Sequence, residues 1–211
     1  MSSKQQKSAR EAKLAQARKQ AQATERKRAL LLAGASGLVI LFIAGAVGWA
    51  ILGEREEREA AGDLSAVQTF EYKGGNHVEG KVDYKESPPV GGEHNAVWLN
   101  CGTYDEPVPN EHAVHSLEHG AVWITYDPEL PEADVKKLDD ALPDTYTLLS
   151  PYEGDMPSEI VISAWGHQLE VDSADDPRIK GFIKEYRQGP QTPEPGAACT
   201  GGVTPEQSLV K

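Results

Sequence analysis

Sulfur is scarce in this chain: its 211 residues include two cysteines, Cys101 and Cys199, and two methionines. With no C-x-x-C pair there is no dithiol redox motif. A G-x-S-x-G elbow, a phosphate-cradling glycine loop and a dinucleotide fingerprint are also missing. Serine-nucleophile and nucleotide chemistry therefore have no motif to rest on. Basic residues are scarce outside one segment. Nine of the 21 lie in residues 1–28, and the other 12 face 31 of the 33 acids in residues 53–211, a net charge of −19 there. Such a surface repels nucleic acid and anionic head groups, so no nucleic-acid partner is expected.

What is present begins with Ala29–Leu52, 24 uncharged and mostly apolar residues. About 20 such residues span the hydrocarbon core as a helix, so a single transmembrane helix is expected here. The basic arm 1–28 precedes it, which by the positive-inside rule keeps the N-terminus cytoplasmic and sends the rest outside the plasma membrane. A cleaved signal peptide is the alternative, through the small residues Ala44-Gly45-Ala46 and Gly48-Trp49-Ala50. The run is longer than the usual apolar core of a signal. Without a nearby cysteine, a lipoprotein anchor is excluded. In an oxidising compartment Cys101 and Cys199 form a disulfide; as free thiols they would instead be soft metal ligands favouring Cu(I) or zinc.

Beyond a charged spacer (53–69), one folded domain is expected over 70–189, followed by a Pro/Gly-rich tail, 190–211. Strand composition marks Thr69–Tyr72, His77–Val82, Ala96–Cys101, Ala121–Tyr126, Tyr146–Ser150, and Ile160–Ala164 continuing through Gln168–Val171. Helical spacing marks Glu132–Ala141, just after Pro131, and Pro177–Gln188, with Ile179, Phe182, Ile183 and Tyr186 on one face. This order predicts an α+β sandwich: a mostly antiparallel sheet with helices on one face, ferredoxin-like or thioredoxin-like. Trp98, Trp123 and Trp165, each inside a strand segment, are expected in the core.

Residues 112–119 hold three of the six histidines and a glutamate, His112-Ala-Val-His115-Ser-Leu-Glu118-His119. Imidazole is the commonest metal ligand, and His115 and His119, four apart, share a helix face. A third ligand is expected from His94, in the loop Pro88-Pro89-Val90-Gly91-Gly92-Glu93-His94, where paired prolines and glycines restrain the backbone. The expected metal set is His94, His115 and His119 with Glu118 as ligand or orienter, holding a copper or zinc ion. His112 is an onlooker, and His77 and His167, in strand-like segments, are structural. His115-Ser-Leu-Glu118-His119 also fits the inverted zinc-peptidase pattern H-x-x-E-H, with Glu194 or another tail acid as nominal distal ligand. That pattern belongs on a long helix, whereas Gly120 and a β-rich run follow here, so no catalytic residue is assigned.

Three stretches carry a family resemblance: Ser87–His94, Trp98-Leu-Asn-Cys101-Gly-Thr-Tyr104, and Val114–Trp123, with Cys199-Thr-Gly-Gly near the end. Over residues 70–202 the chain resembles Domain of Unknown Function 3105, a family found largely in actinobacterial membrane-anchored proteins. The resemblance groups His94 with His115, Glu118 and His119, and implies no activity. Metal binding or handling by a membrane-anchored domain is the leading expectation. The alternative is a non-catalytic accessory subunit of a cell-envelope membrane complex, bound to an envelope protein partner, in which the histidine motif only staples a loop.

Overall fold

Four consecutive strands fill the second half, β3 (Val122–Tyr126), β4 (Thr147–Pro151), β5 (Ile160–Ala164) and β6 (His167–Val171). The first three are buried along their whole length, the pattern of strands covered on both faces. In the computed structural model, residues 62–208 are described, together with Glu25, Phe42, Ile43, Gly45 and Val47. Nearly all of the expected basic arm and of the expected membrane segment Ala29–Leu52 lies outside the described residues. Among the described residues no helix is long and apolar enough to cross a membrane. The chain divides into two units, Met1–Glu56 and Glu57–Lys211. In the first, Phe42, Ile43, Gly45 and Val47 are helical; the second carries the fold.

Two short strands, β1 (Gln68–Thr69) and β2 (Gly102–Thr103), complete a six-stranded sheet in the order β1-β6-β5-β3-β4-β2. Helix α1 (Asn110–Glu118) precedes β3, α2 (Glu132–Ala141) joins β3 to β4, and α3 (Pro177–Tyr186) follows β6. A last turn, α4, covers Pro205–Ser208. The β1–β6, β6–β5 and β5–β3 pairs are antiparallel, while β3–β4 and β4–β2 are parallel. The sheet is therefore mixed rather than mostly antiparallel. Strands β3 and β4 are neighbours across their α2 crossover, which excludes the split ferredoxin-like arrangement.

Helices cover both faces, not one. Alternation along the strands sends Val122, Ile124, Leu149, Ile162 and Leu169 to one face, where they meet Leu138 of α2 and Ile179, Phe182 and Ile183 of α3. The opposite face sends Trp123 and Leu148 against Ala113, Val114 and Leu117 of α1, with Leu99 and Trp165. The expectation missed this because α1 carries histidines and a glutamate where a core helix usually carries leucine. Leu64 and Val67, within the segment read as spacer, pack on the first core.

Two expected strands do not form. His77–Val82 contributes only an isolated bridge, His77 to His94, and Gly80 turns the chain at φ +90°. In Ala96–Cys101, Leu99 N–H donates to His112 O of α1 and Asn100 N–H to Val203 O of the tail. Helix and tail take the backbone bonds that a sheet neighbour would have made. The tail is bound to the body by the Cys101–Cys199 disulfide, Cα–Cα 5.4 Å, which closes a separation of 98 residues. Free-thiol metal ligands are thereby excluded, since no free cysteine remains.

Candidate metal centre

The site is built on the last turn of α1. Ala113, Val114 and Leu117 face the core, which turns His115, Glu118 and His119 to a second, also buried, side. The helix ends in a Schellman motif: Gly120 N–H donates to Leu117 O and Ala121 N–H to Ser116 O. Gly120 sits at φ +96°, a conformation that disfavours any residue with a Cβ. This stop leaves His119 at the helix end, facing the tail.

The second wall is the loop Ser87–His94, pinned to the β5–β6 hairpin by Gln168 Nε2 donating to Pro88 O (2.8 Å) and Gly166 N–H to Val90 O (2.8 Å). Gly92, at φ +105°, turns its carbonyl back so that it accepts from His94 Nδ1 at 2.8 Å. His115 Nδ1 donates to Asn95 O at 2.6 Å and His119 Nδ1 to Ala198 O at 2.7 Å. A carbonyl only accepts, so all three rings carry a proton on Nδ1. In a neutral ring that leaves the Nε2 lone pair for a metal, as in metal-binding histidines. This holds for His115 and His119, whereas His94 Nε2 donates to the Glu118 carboxylate and would give up that proton on taking an ion.

Those Nε2 atoms converge. His115 Nε2 and His119 Nε2 are 2.9 Å apart, His94 Nε2 is 2.9 Å from Glu118 Oε2, and His77 Nε2 is 3.6 Å from the same oxygen. At a metal–nitrogen distance of about 2.0–2.1 Å, two ligands lie roughly 2.9 Å apart at a right angle and about 3.4 Å apart in a tetrahedron. Two imidazole lone pairs this close repel unless a cation, proton or metal, lies between them. Burial pushes His115 down to about 4, with the neighbouring histidines adding to the effect; the Asn95 carbonyl and Glu118 oppose it only in part. His115 is therefore neutral near pH 7. Burial acts to raise the Glu118 carboxyl, but hydrogen bonds from His94 and Gly75 N–H outweigh it and hold it at about 2. Glu118 is thus a buried carboxylate.

The four expected ligands come together, but in two sets. His77, His94, His115 and Glu118 place one ligand atom each within 4.8 Å of one another, and His115, His119 and Glu194 form a second such set. His94 is drawn to Glu118, whereas His119 is turned away to Ala198 and to Glu194, whose Oε2 is 3.4 Å from His119 Nε2. His77, read as structural, stacks on His115 with centroids 4.8 Å apart and an interplanar angle of 12°. No local spacing could have signalled it, because the 77–94 bridge that places it is long-range. Glu194 was reachable only through the peptidase pattern. His112 stays outside both sets, bonded through Nδ1 to Val97 O, and His167 packs on Tyr186. Trp123 and Trp165 are in the second core, where Trp165 also meets His94 edge-on at 5.7 Å; Trp98 instead packs on His119, centroids 4.9 Å apart.

The peptidase motif does lie on a helix, but α1 stops at Glu118, and both oxygens of that glutamate are engaged, by Gly75 N–H and by His94. Fold and site together define a mixed α+β domain with a buried histidine–glutamate centre. The chain belongs to the family described as "Protein of unknown function (DUF3105)", which matches residues 77–201. No curated protein and no solved structure matches it. The matched span takes in both donor sets and both cysteines.

Proposed function

We propose that the folded unit binds a single copper or zinc ion, as Cu(II) or Zn(II), in a metal-handling role. The observation that carries this is the set of three histidines, His94, His115 and His119, each with Nδ1 tied to a backbone carbonyl, with His94 Nε2 against the buried Glu118 and the Nε2 atoms of His115 and His119 2.9 Å apart. The donors are imidazole and carboxylate, which suit zinc and Cu(II); the chain's only thiols are locked in a disulfide, which removes the ligand that would favour Cu(I). The same disulfide supports placing this unit outside the cytoplasm. The reading includes an anchor at Ala29–Leu52 with the basic arm inside, supported by the helical, exposed Phe42, Ile43 and Val47.

The test is elemental analysis of the full-length chain purified without a histidine tag, before and after dialysis against Zn²⁺ or Cu²⁺. One ion per chain is expected, reduced by His115→Ala. A folded protein that neither carries nor takes up either metal ends this reading. A second reading, an accessory subunit docking a basic partner in the cell envelope, is favoured by a groove of about 960 Å³ lined by Asp105, Glu106, Glu111, Glu153 and Glu206 beside Tyr104 and Tyr152. It predicts a co-purifying partner lost on Glu106→Lys with metal content unchanged.

A further inference from the structure

Both donor sets use His115, and that shared residue has a chemical consequence. With Nδ1 committed to Asn95 O, His115 has one lone pair left, on Nε2. One lone pair binds one ion, so the two sets cannot both be filled through it. They also differ in kind. The set of His77, His94, His115 and Glu118 offers four donors, three of them buried, the number a closed four-coordinate site takes. The set of His115, His119 and Glu194 offers three, one on a carboxylate whose side chain is 46 % exposed, and leaves a position for water.

We infer that these are two mutually exclusive positions for one ion, pivoting on His115 Nε2: a four-donor holding position and a three-donor exchange position through which the ion enters and leaves. This rests on the metal-binding reading above. An ion about 2.1 Å from Nε2 in either position moves by at most about 4 Å between them. His115 never has to release it, so passage needs no unliganded intermediate. Glu194 meets the incoming cation, and Ala198 O keeps the His119 ring turned to receive it. Both belong to the tail that Cys101–Cys199 ties down, so the exchange position is assembled only once the tail is laid against α1.

The experiment uses the full-length, untagged chain stripped by a chelator, titrated with Zn²⁺ for stoichiometry and with Co²⁺ for its visible spectrum. Stopped-flow uptake, and release into excess chelator, supply the rates. The expected result is one ion per chain at saturation. Glu194→Gln, a conservative change on an exposed side chain, still takes one ion but with uptake and release each slowed about tenfold. His94→Ala binds one Co²⁺ about 100-fold more weakly, with the altered spectrum of a three-donor site. His115→Ala loses both positions. Two ions per chain in the unaltered protein, or Glu194→Gln exchanging at the unaltered rate, overturns the two-position inference while leaving metal binding intact. No ion at all on the unaltered, folded protein removes the metal-binding reading itself.

Discussion

The two faces of the sheet are stabilised by different means. On one, α2 and α3 lie on Val122, Ile124, Leu149, Ile162 and Leu169, an interface made almost wholly of hydrocarbon with Phe182 fully buried at its centre. On the other, α1 buries more of itself than either of them, yet half of what it buries is polar, His115, Ser116 and Glu118, with His119 also buried at its cap. These groups are tied to loops and tail by hydrogen bonds, a glycine stop and a disulfide. Apolar burial is non-directional and tolerates small shifts, whereas a buried carboxylate among imidazoles needs every partner in place. The first face therefore sets stability, and the second uses that stability to hold a site.

The contrast is broken most severely from the apolar side. Phe182→Ala should cost about 3–5 kcal/mol in thermal or urea unfolding, with the metal bound per folded chain unchanged. Equal loss of metal among the remaining folded molecules would show that the faces are not independent.

Next comes the disulfide. Replacing both cysteines, Cys101→Ser with Cys199→Ser, should lower stability by about 2–4 kcal/mol, because the unfolded chain is no longer restricted by a closed loop. Unlike Phe182→Ala, it should also weaken the site, since the tail carries the Ala198 carbonyl and Glu194. Unaltered Zn²⁺ exchange in the folded variant would detach the tail from the site.

Metal itself should stabilise only through the polar face. At Zn²⁺ one hundredfold above its dissociation constant, mass action adds about 2.7 kcal/mol to unfolding, seen as a raised Tm. His94→Ala should abolish most of that increment at the same concentration. If it keeps the full increment, the ion is bound elsewhere.

The smallest effect is at the start of α3. Asp176 caps it, accepting from Arg178 N–H at 2.8 Å and pairing with the Arg178 guanidinium. The side-chain bond from Arg178 leads in holding its carboxyl below the usual carboxylate value, against some desolvation. Its folded value is depressed, so its contribution is complete above the unfolded value of about 3.9 and is lost as pH falls through the folded value. Asp176→Ala should cost about 1 kcal/mol near pH 7. The gap between variant and parent should narrow below about pH 4. A constant gap down to pH 2 would assign the effect to packing rather than charge.

Legibility followed the same division. Strands β3 to β5 were readable as short runs rich in β-branched and aromatic residues bounded by turn residues, and helices α2 and α3 from the helical spacing of their apolar residues. Helix α1 was only half readable. The i, i+3, i+4 spacing of His115, Glu118 and His119 was plain, but an amphipathic rule expects the polar side of a helix to face water, and here it is buried. His94 was found through its constrained loop. His77 was not, because an isolated histidine carries no signal until a bridge formed 17 residues away in the chain brings it to the same place.

By itself the sequence determined which residue types are available as donors and which are not: imidazoles and carboxylates, with thiols confined to two cysteines. It also determined the local spacing on α1, since helix geometry is set by neighbours in the chain. Tertiary structure alone decided that the donors divide into two sets meeting at His115. That division depends on where the Ser87–His94 loop and the disulfide-bound tail send their carbonyls and side chains. Those directions come from contacts distant in sequence, which no local periodicity encodes.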